Sequence, residues 1–257
     1  MPRFKLTISY DGTDFIGWQK QPSGRSVQGT IENALKNLFG IETTVVGSGR
    51  TDAGVHAIGQ SAHVDVDVAL PPDTFCTALN SHLPRDIRIL NVCPVPPTFH
   101  ARYDALERTY FYLFHPQSDF SPFARYYVWH LSSPLNIEKM QEAASLLIGQ
   151  HDFSAFRATG GGHTSPCRKI SLSHIFPCTG SIYAYLITAD AFLRKMVRSI
   201  MGTLVEIGMG KFEPSRMTQL LETGNRSLIG ATAPPHGLYL AVVTYPSTPS
   251  KAHYDEE

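Results

Sequence analysis

Arg3-Phe-Lys-Leu-Thr-Ile-Ser-Tyr10 alternates without a break, with Phe4, Leu6, Ile8 and Tyr10 on one side and Lys5, Thr7 and Ser9 on the other. A period of two is that of a half-buried β-strand. Downstream, Ser26 stands as an N-cap before Val27, Ile31, Ala34, Leu35 and Leu38, which share one helical face; Gly40 is the expected stop. Strands are predicted over 43–48 and 57–68. In the second of these, Ala62, Val64, Val66 and Val68 oppose Ser61, His63, Asp65 and Asp67. Asp73 is expected to cap a short helix, and Ile87 and Ile89 open a fourth strand. The order is β-α-β-β-α-β.

The second half repeats that order. A strand over 106–115, with an extra one near 126–131, precedes a helix predicted from 135 to 148 with Ile137, Met140, Ala144, Leu147 and Ile148 on its apolar face. Strands near 168–176 and 181–188 form a hairpin around Thr179-Gly180. A long helix over 191–207, a short one over 214–222 and a strand over 237–245 complete it. The predicted class is α+β: two ferredoxin-like βαββαβ units, residues 1–103 and 104–247, whose antiparallel sheets merge and leave a cleft between the halves. The tail, 248–257, holds three acids and is expected to be disordered.

Composition limits the function classes. The 257 residues are 42% apolar, enough for a real core. No apolar run approaches the roughly 18 residues of a membrane span, and the N-terminus lacks a signal peptide's apolar region, so no membrane association and a cytoplasmic location are expected. The four cysteines (76, 93, 167 and 178) form no CxxC, there is no HExxH, and no metal site is expected; the thiols read as buried or half-buried. A net charge of zero argues against indiscriminate coating of nucleic acid. Residues 103–247, however, carry twelve basic and ten acidic side chains, which permits a local basic surface.

Three stretches carry chemistry. Gly47-Ser-Gly-Arg-Thr-Asp-Ala-Gly-Val-His56 is a lean loop between strands. It is not a phosphate cradle, because no Lys-Ser/Thr follows and Asp52 would repel phosphate. A tight turn with a capping Asp is the bland reading, but Arg50 and Asp52 together present an acid and a guanidinium where a substrate can approach the backbone. In Arg108-Thr-Tyr-Phe-Tyr-Leu-Phe114, Arg108, Tyr110, Tyr112 and Phe114 share a face; single rings there are usually core, yet ring plus guanidinium also stacks on an unpaired base. In the 191–207 helix, Phe192, Met196, Ile200, Thr203 and Leu204 form a core stripe, Arg194 and Arg198 are i, i+4 partners, and Lys195 lies beside them. Val197 and Met201 flank Arg198 and imply partial burial, so it needs an anion from elsewhere in the fold.

These stretches resemble the tRNA pseudouridine synthases that modify the anticodon arm. The shared motifs are Tyr10-Asp-Gly-Thr, Phe15, Gly17-Trp-Gln, Gln21, Val27-Gln28, Gly49-Arg-Thr-Asp-Ala-Gly-Val-His, Phe99-His-Ala-Arg, His151-Asp-Phe-Ser-Ala-Phe-Arg, Ala191-Phe-Leu with Met196-Val-Arg, and Ala233-Pro-Pro-His-Gly-Leu. The resemblance implies that Asp52 is catalytic, that Tyr110 packs against the target base, that Arg198 pairs with Asp52, and that Arg50 helps hold the flipped nucleotide. It implies isomerisation of uridine to pseudouridine in the tRNA anticodon stem-loop, with no cofactor or metal, by a homodimer whose two subunits touch one tRNA. Variation is expected in Gly160-Gly-Gly-His163 and in the acidic tail.

A carboxylate is a competent nucleophile for this isomerisation, at C6 of uracil or C1′ of ribose. Tyr110 is the candidate base for the C5 proton, with water as its rival. Arg168, Lys169, Arg194 and Lys195 are expected to hold the RNA backbone. The competing readings are a non-catalytic RNA-binding protein of ferredoxin-like units, and a hydrolase with an aspartyl nucleophile; the first lacks the RRM signature and the second the further carboxylates that Mg²⁺ needs.

Overall fold

The structure is a computed structural model that describes residues 1–67, 70–158 and 165–246. Its elements are β1 (Arg3–Tyr10), α1 (Val27–Phe39), β2 (Val46–Gly47), β3 (His56–Asp65), α2 (Pro72–Ser81), β4 (Ile87–Val95), β5 (Glu107–His115), β6 (Trp129–His130), α3 (Ile137–Ser145), β7 (Gly149–Asp152), β8 (Cys167–Pro177), β9 (Tyr183–Ala189), α4 (Met196–Gly208), α5 (Arg216–Thr223) and β10 (Leu238–Thr244). The strands form one sheet in the order β4-β1-β3-β10-β5-β9-β8-β7, with β2 beside β3 and β6 beside β5. The fold is α+β.

Side-chain alternation fixes which face is covered. Phe4, Leu6, Ile8 and Tyr10 are buried, as are Tyr110, Tyr112 and Phe114 of β5. Ile31 and Leu35 of α1, Phe75 and Leu79 of α2, and Met140 of α3 belong to the same core. The predicted caps hold: Ser26 Oγ accepts from the Gly29 N–H at 3.2 Å, and Gly40, at φ +73°, donates its N–H to the Lys36 carbonyl. The helix that matters most is α4. Met196, Ile200, Met201, Leu204 and Ile207 are fully buried, because α4 lies under α3 and the chain from Ala231 to Ala233 as well as beside the sheet.

β3 and β10 join the two halves in parallel, through only the register pairs Tyr239↔His56 and Leu240↔Ala57. Beyond them a Cβ on Gly59 would stand 2.2 Å from the Ala241 carbonyl oxygen, so a residue without a side chain lets the two backbones meet.

Several expectations need correction. The long helix begins at Met196, not 191: Lys195 adopts φ +61°, which reverses the chain and excludes Phe192, Arg194 and Lys195 from the helix. Arg194 and Arg198 are therefore not i, i+4 partners on one helix. The 135–148 helix spans only Ile137–Ser145, since Asn136 is its cap, and Ile148 is exposed rather than on the core face. Pro71, not Asp73, is the N-cap of α2; Asp73 lies in the first turn and makes no capping bond. The 43–48 and 126–131 strands shrink to two residues each, and β7 was not foreseen. Both faces of β3 are covered around Ser61 and His63, because the chain near Phe99–Ala101 lies over them. Cys167 and Cys178 are exposed and stand at opposite ends of β8, too far apart to approach each other. Val68, Gly160–His163 and the tail 248–257 lie outside the described residues.

Candidate active site

The Gly47–His56 loop is fixed from below by polar groups that no periodicity reveals. Gln60, wholly buried in β3, donates to the Gly49 carbonyl at 3.1 Å and accepts from Ser48 Oγ at 2.7 Å. The Tyr10 hydroxyl bonds Thr51 Oγ1 at 2.8 Å, and Trp18 N–H donates to the Thr51 carbonyl at 3.1 Å. Gly17, at φ +114°, bridges to Asp52; a Cβ there would meet the Thr51 carbonyl oxygen at 2.7 Å. His56 closes the loop. Its Nδ1 accepts from the Gly12 N–H at 3.0 Å, and its Nε2 faces the Tyr126 carbonyl at 3.0 Å. Burial lowers its pKa despite the Asp11 carboxylate 3.2 Å away, so the ring is a neutral brace with its proton on Nε2.

Above this base, Arg198 of α4 donates from Nη1 to Asp52 Oδ2 at 3.0 Å and from Nε to the Ala233 carbonyl at 2.8 Å. The Ala233 N–H returns a bond to the Arg198 carbonyl at 3.0 Å. The side chains of Arg198 and Asp52 retain 13% and 27% of their exposure, so the pair sits at the bottom of an open approach. The predicted anion partner of Arg198 is thus Asp52, 146 residues away in sequence. Pro235 packs on Gly54, and the Tyr112 hydroxyl donates to the Pro234 carbonyl at 2.8 Å, so the 233–237 segment is held between the loop and β5.

Tyr110 lies beside this pair, 9% exposed, with Phe192 edge-on at 5.1 Å between ring centroids. Its hydroxyl makes no hydrogen bond among the described residues. Burial pushes its pKa up to about 12; the Arg108 charge opposes that and the Asp52 charge adds to it. The ring is therefore a neutral phenol near pH 7. Arg50 is exposed, has no hydrogen-bond or ion-pair partner among the described residues, and follows Gly49, around which there is open space.

Arg108 is not available to stack on a base, contrary to expectation. Its guanidinium donates to the carbonyls of Ala105, Asp190, Ser48 and Arg102 at 3.1, 2.7, 3.1 and 2.6 Å, tying three segments to the loop. The four cations expected to hold RNA are scattered in their surroundings. Lys169 and Arg194 are exposed, Lys195 is half-buried at the left-handed turn, and Arg168 is folded onto the Ser165 and Cys167 carbonyls. The Lys169 backbone is tied to the Asp190 turn, its carbonyl accepting the Asp190 N–H at 3.2 Å and its N–H donating to Asp190 Oδ1 at 3.1 Å. Among the described residues, no three His, Cys, Asp or Glu side chains cluster to hold a metal.

A carboxylate gripped by a guanidinium, with a buried phenol and an exposed arginine two residues away in the loop, suits attack on a planar, electron-poor ring. A tRNA pseudouridine synthase family model matches residues 6–104 and 143–246. The chain belongs to the tRNA pseudouridine synthase family. It is 41% identical over 249 residues to the tRNA pseudouridine synthase A of Caldicellulosiruptor saccharolyticus, covering 95% of this chain and 100% of the relative. It is 44% identical to that of Maridesulfovibrio salexigens, over 96% of this chain and 92% of the relative, and 43% identical to that of Acetivibrio thermocellus, over 95% and 100%. A solved archaeal box H/ACA sRNP Nop10–Cbf5 complex matches 79% of this chain and 43% of that one, at 11% identity and a TM-score of 0.35, a likeness too remote to carry argument. Both family segments include the site: Tyr10, Arg50, Asp52 and His56 lie in the first, Arg198 and Ala233–Gly237 in the second. Tyr110, Arg108 and β5 fall between them.

Sequence reasoning missed Gln60, His56, Thr51 and Ala233 as site components. Gln60 shows only as a polar residue inside a strand pattern; Thr51, His56 and Ala233 stand in the shared motifs, but nothing in their residue types gives their roles, and Ala233 acts through its backbone.

Proposed function

We propose that the chain isomerises uridine to pseudouridine in the anticodon stem-loop of tRNA, with Asp52 as nucleophile. The observation that carries this is the Arg198–Asp52 pair at 3.0 Å on an exposed approach. Arg198 orients the carboxylate and offsets the cost of holding its charge in a cleft where the base excludes water. Asp52 attacks C6 of the uracil or C1′ of its ribose, the N1–C1′ bond breaks, the base turns while held, C5 joins C1′, the bond to Asp52 is released, and the proton lost from C5 is balanced by one taken up at N1. Tyr110 packs against the ring. Because it is a neutral phenol at pH 7, it is poorly suited to remove the C5 proton, and water is the better candidate. Arg50, exposed in the same loop, helps hold the flipped nucleotide, whose extrusion costs about a few kcal/mol. Lys169, Arg194 and Lys195, with Arg168 nearby, form the backbone-binding side.

The same reading treats residues 1–103 and 104–247 as two ferredoxin-like units, with the site in the cleft where they meet. The orders β4-β1-β3-β2 and β10-β5-β9-β8 support it, since each is the sheet order of a βαββαβ unit. It also takes the enzyme as cytoplasmic, on composition, as needing no cofactor or metal, on the motif resemblance and the absence of ligand motifs, and as a homodimer, on the resemblance alone. The test is tritium release from tRNA labelled at uracil C5, in EDTA, for wild type and Asp52→Ala. Release by wild type alone supports an isomerase with an essential Asp52. Binding of tRNA with no release by either protein would favour a fold kept for binding.

A further inference from the structure

Next to the Asp52 loop the chain presents an aromatic side chain that serves no core. Tyr103 is 75% exposed, with the Arg102 guanidinium carbon 5.8 Å from its ring centroid and the His100 ring 4.3 Å away, tilted by 33°. Isolated exposed rings are ordinary, but this one is held in place. His100 Nδ1 accepts from the N–H groups of Arg102 and Tyr103 at 3.1 and 3.3 Å, while the Asp104 carboxylate accepts the His100 N–H at 2.8 Å. The Asp104 N–H closes the turn onto the His100 carbonyl at 3.0 Å. Below, Ala101 is pinned from both sides: its N–H donates to His63 Nδ1 at 3.1 Å and its carbonyl accepts the Tyr245 hydroxyl at 2.7 Å.

The turn is also registered to the site. One nitrogen of Arg108 donates to both the Ser48 and Arg102 carbonyls, so the strap holding Tyr103 runs alongside the loop that carries Arg50 and Asp52. A ring carried on a braced turn, backed by a second ring and flanked by a guanidinium, has less freedom to lose on stacking against a planar group, and unpaired bases are the planar groups an RNA offers. Asp104 turns its carboxylate inward to its own backbone, which lowers the repulsion a phosphate would meet.

We propose that Tyr103, with Arg102 beside it, is a stacking platform for an unpaired base of the RNA near the target uridine. It rests on the reading of this chain as an enzyme acting on tRNA. The ring takes the base face, and Arg102 takes the phosphate of the same nucleotide.

The probes are full-length tRNA and its isolated anticodon stem-loop, with Kd from filter binding and KM from tritium release. Tyr103→Ala should raise both constants roughly 5- to 100-fold, and Tyr103→Phe should restore them, because stacking needs no hydroxyl. Arg102→Ala should lower the slope of log Kd against log salt by about 0.7. Unchanged constants in Tyr103→Ala would overturn the proposal. So would a weakening that appears only with a changed sedimentation profile, since the ring would then serve subunit contact. Tyrosine-dependent binding by a wild type that releases no tritium would refute the enzymatic reading and leave the platform standing.

Discussion

Replacing Arg198 by methionine keeps most of the side-chain volume and removes two hydrogen bonds, to Asp52 Oδ2 at 3.0 Å and to the Ala233 carbonyl at 2.8 Å. A shielded charge-assisted bond contributes about 1.5–3 kcal/mol. Asp52 retains 27% of its side-chain exposure, so screening brings the pair down to about 1–1.5 kcal/mol. The bond to Ala233 adds about 1 kcal/mol, and Arg198→Met should cost about 2–2.5 kcal/mol together. Asp52→Asn keeps shape and an acceptor oxygen and should cost under about 1 kcal/mol. If the pair exists in solution, the double variant will fall short of the sum of the singles by about 1 kcal/mol, read from urea midpoints at neutral pH. Each single variant should also slow tritium release about 100-fold or more, Asp52→Asn by loss of the nucleophile and Arg198→Met by its misorientation. A coupling below about 0.3 kcal/mol, or full activity in Arg198→Met, would refute the argument that this guanidinium aims the carboxylate.

Further perturbations test the support around the pair. A Cβ at Gly202 would stand 1.6 Å from the Ala231 carbonyl oxygen, so Gly202→Ala must push the 231–235 segment off α4; a loss of about 3 kcal/mol or more is expected in urea unfolding, with activity falling alongside it. Burial holds His63 down to about 4, helped by the Arg3 and His100 charges, against an ordinary value near 6.5. The unfolded chain therefore takes up that proton first, and stability present above about pH 6.5 is lost as pH falls towards 4, by at most about 3–4 kcal/mol. His56 and His236 shift the same way and add to the slope. Urea midpoints of His63→Gln should show a flatter pH dependence across that window; an unaltered slope would mean the ring is not the source. Tyr110→Phe should keep tRNA affinity within about threefold, because stacking survives, whereas Tyr110→Ala should weaken it. With the phenol near 12, the wild-type pH–rate profile should show no rising limb from phenolate formation between pH 7 and 9.

How much was legible follows from what kind of interaction sets each feature. β1, α1 and β5 were readable because burial on one face imposes a period, and Ser26 and Gly40 because caps are local. The start of α4 was not. Its apolar stripe continues back through Phe192, and only the left-handed turn at Lys195 ends the helix early, at a cost a neighbouring contact must offset. Asp52 stood out as an acid in a glycine-rich loop, and Arg198 as a flanked charge without a local partner, but the residues alone did not join them. The motif resemblance did. Arg108 was misread because its chemistry is spent on four carbonyls, and carbonyl positions carry no residue signature.

The seam between the halves explains why the chemistry sits where it does. β3 and β10 share only two register pairs, the fewest between neighbours along the β4-to-β7 strand order. Immediately before those pairs the chain carries Asp52 on one side and Ala233–Gly237 on the other, and Arg198 reaches both. Its two bonds therefore serve seam and site at once: the guanidinium proposed to aim the nucleophile also ties α4 and the approach to β10 to the Asp52 loop. A site divided this way forms only when both halves have folded, since neither Asp52 with its loop nor Arg198 with its carbonyl holds the geometry alone. Gly202→Ala, one turn along α4 from Arg198, should lower activity through the position of Ala233 even in molecules that remain folded. Gly59→Ala, which meets the Ala241 carbonyl oxygen at 2.2 Å, approaches the same seam from the first half and should lose activity ahead of helix content on warming. Parallel loss of circular dichroism and activity in both variants would instead mean that seam and site fail only with the whole fold.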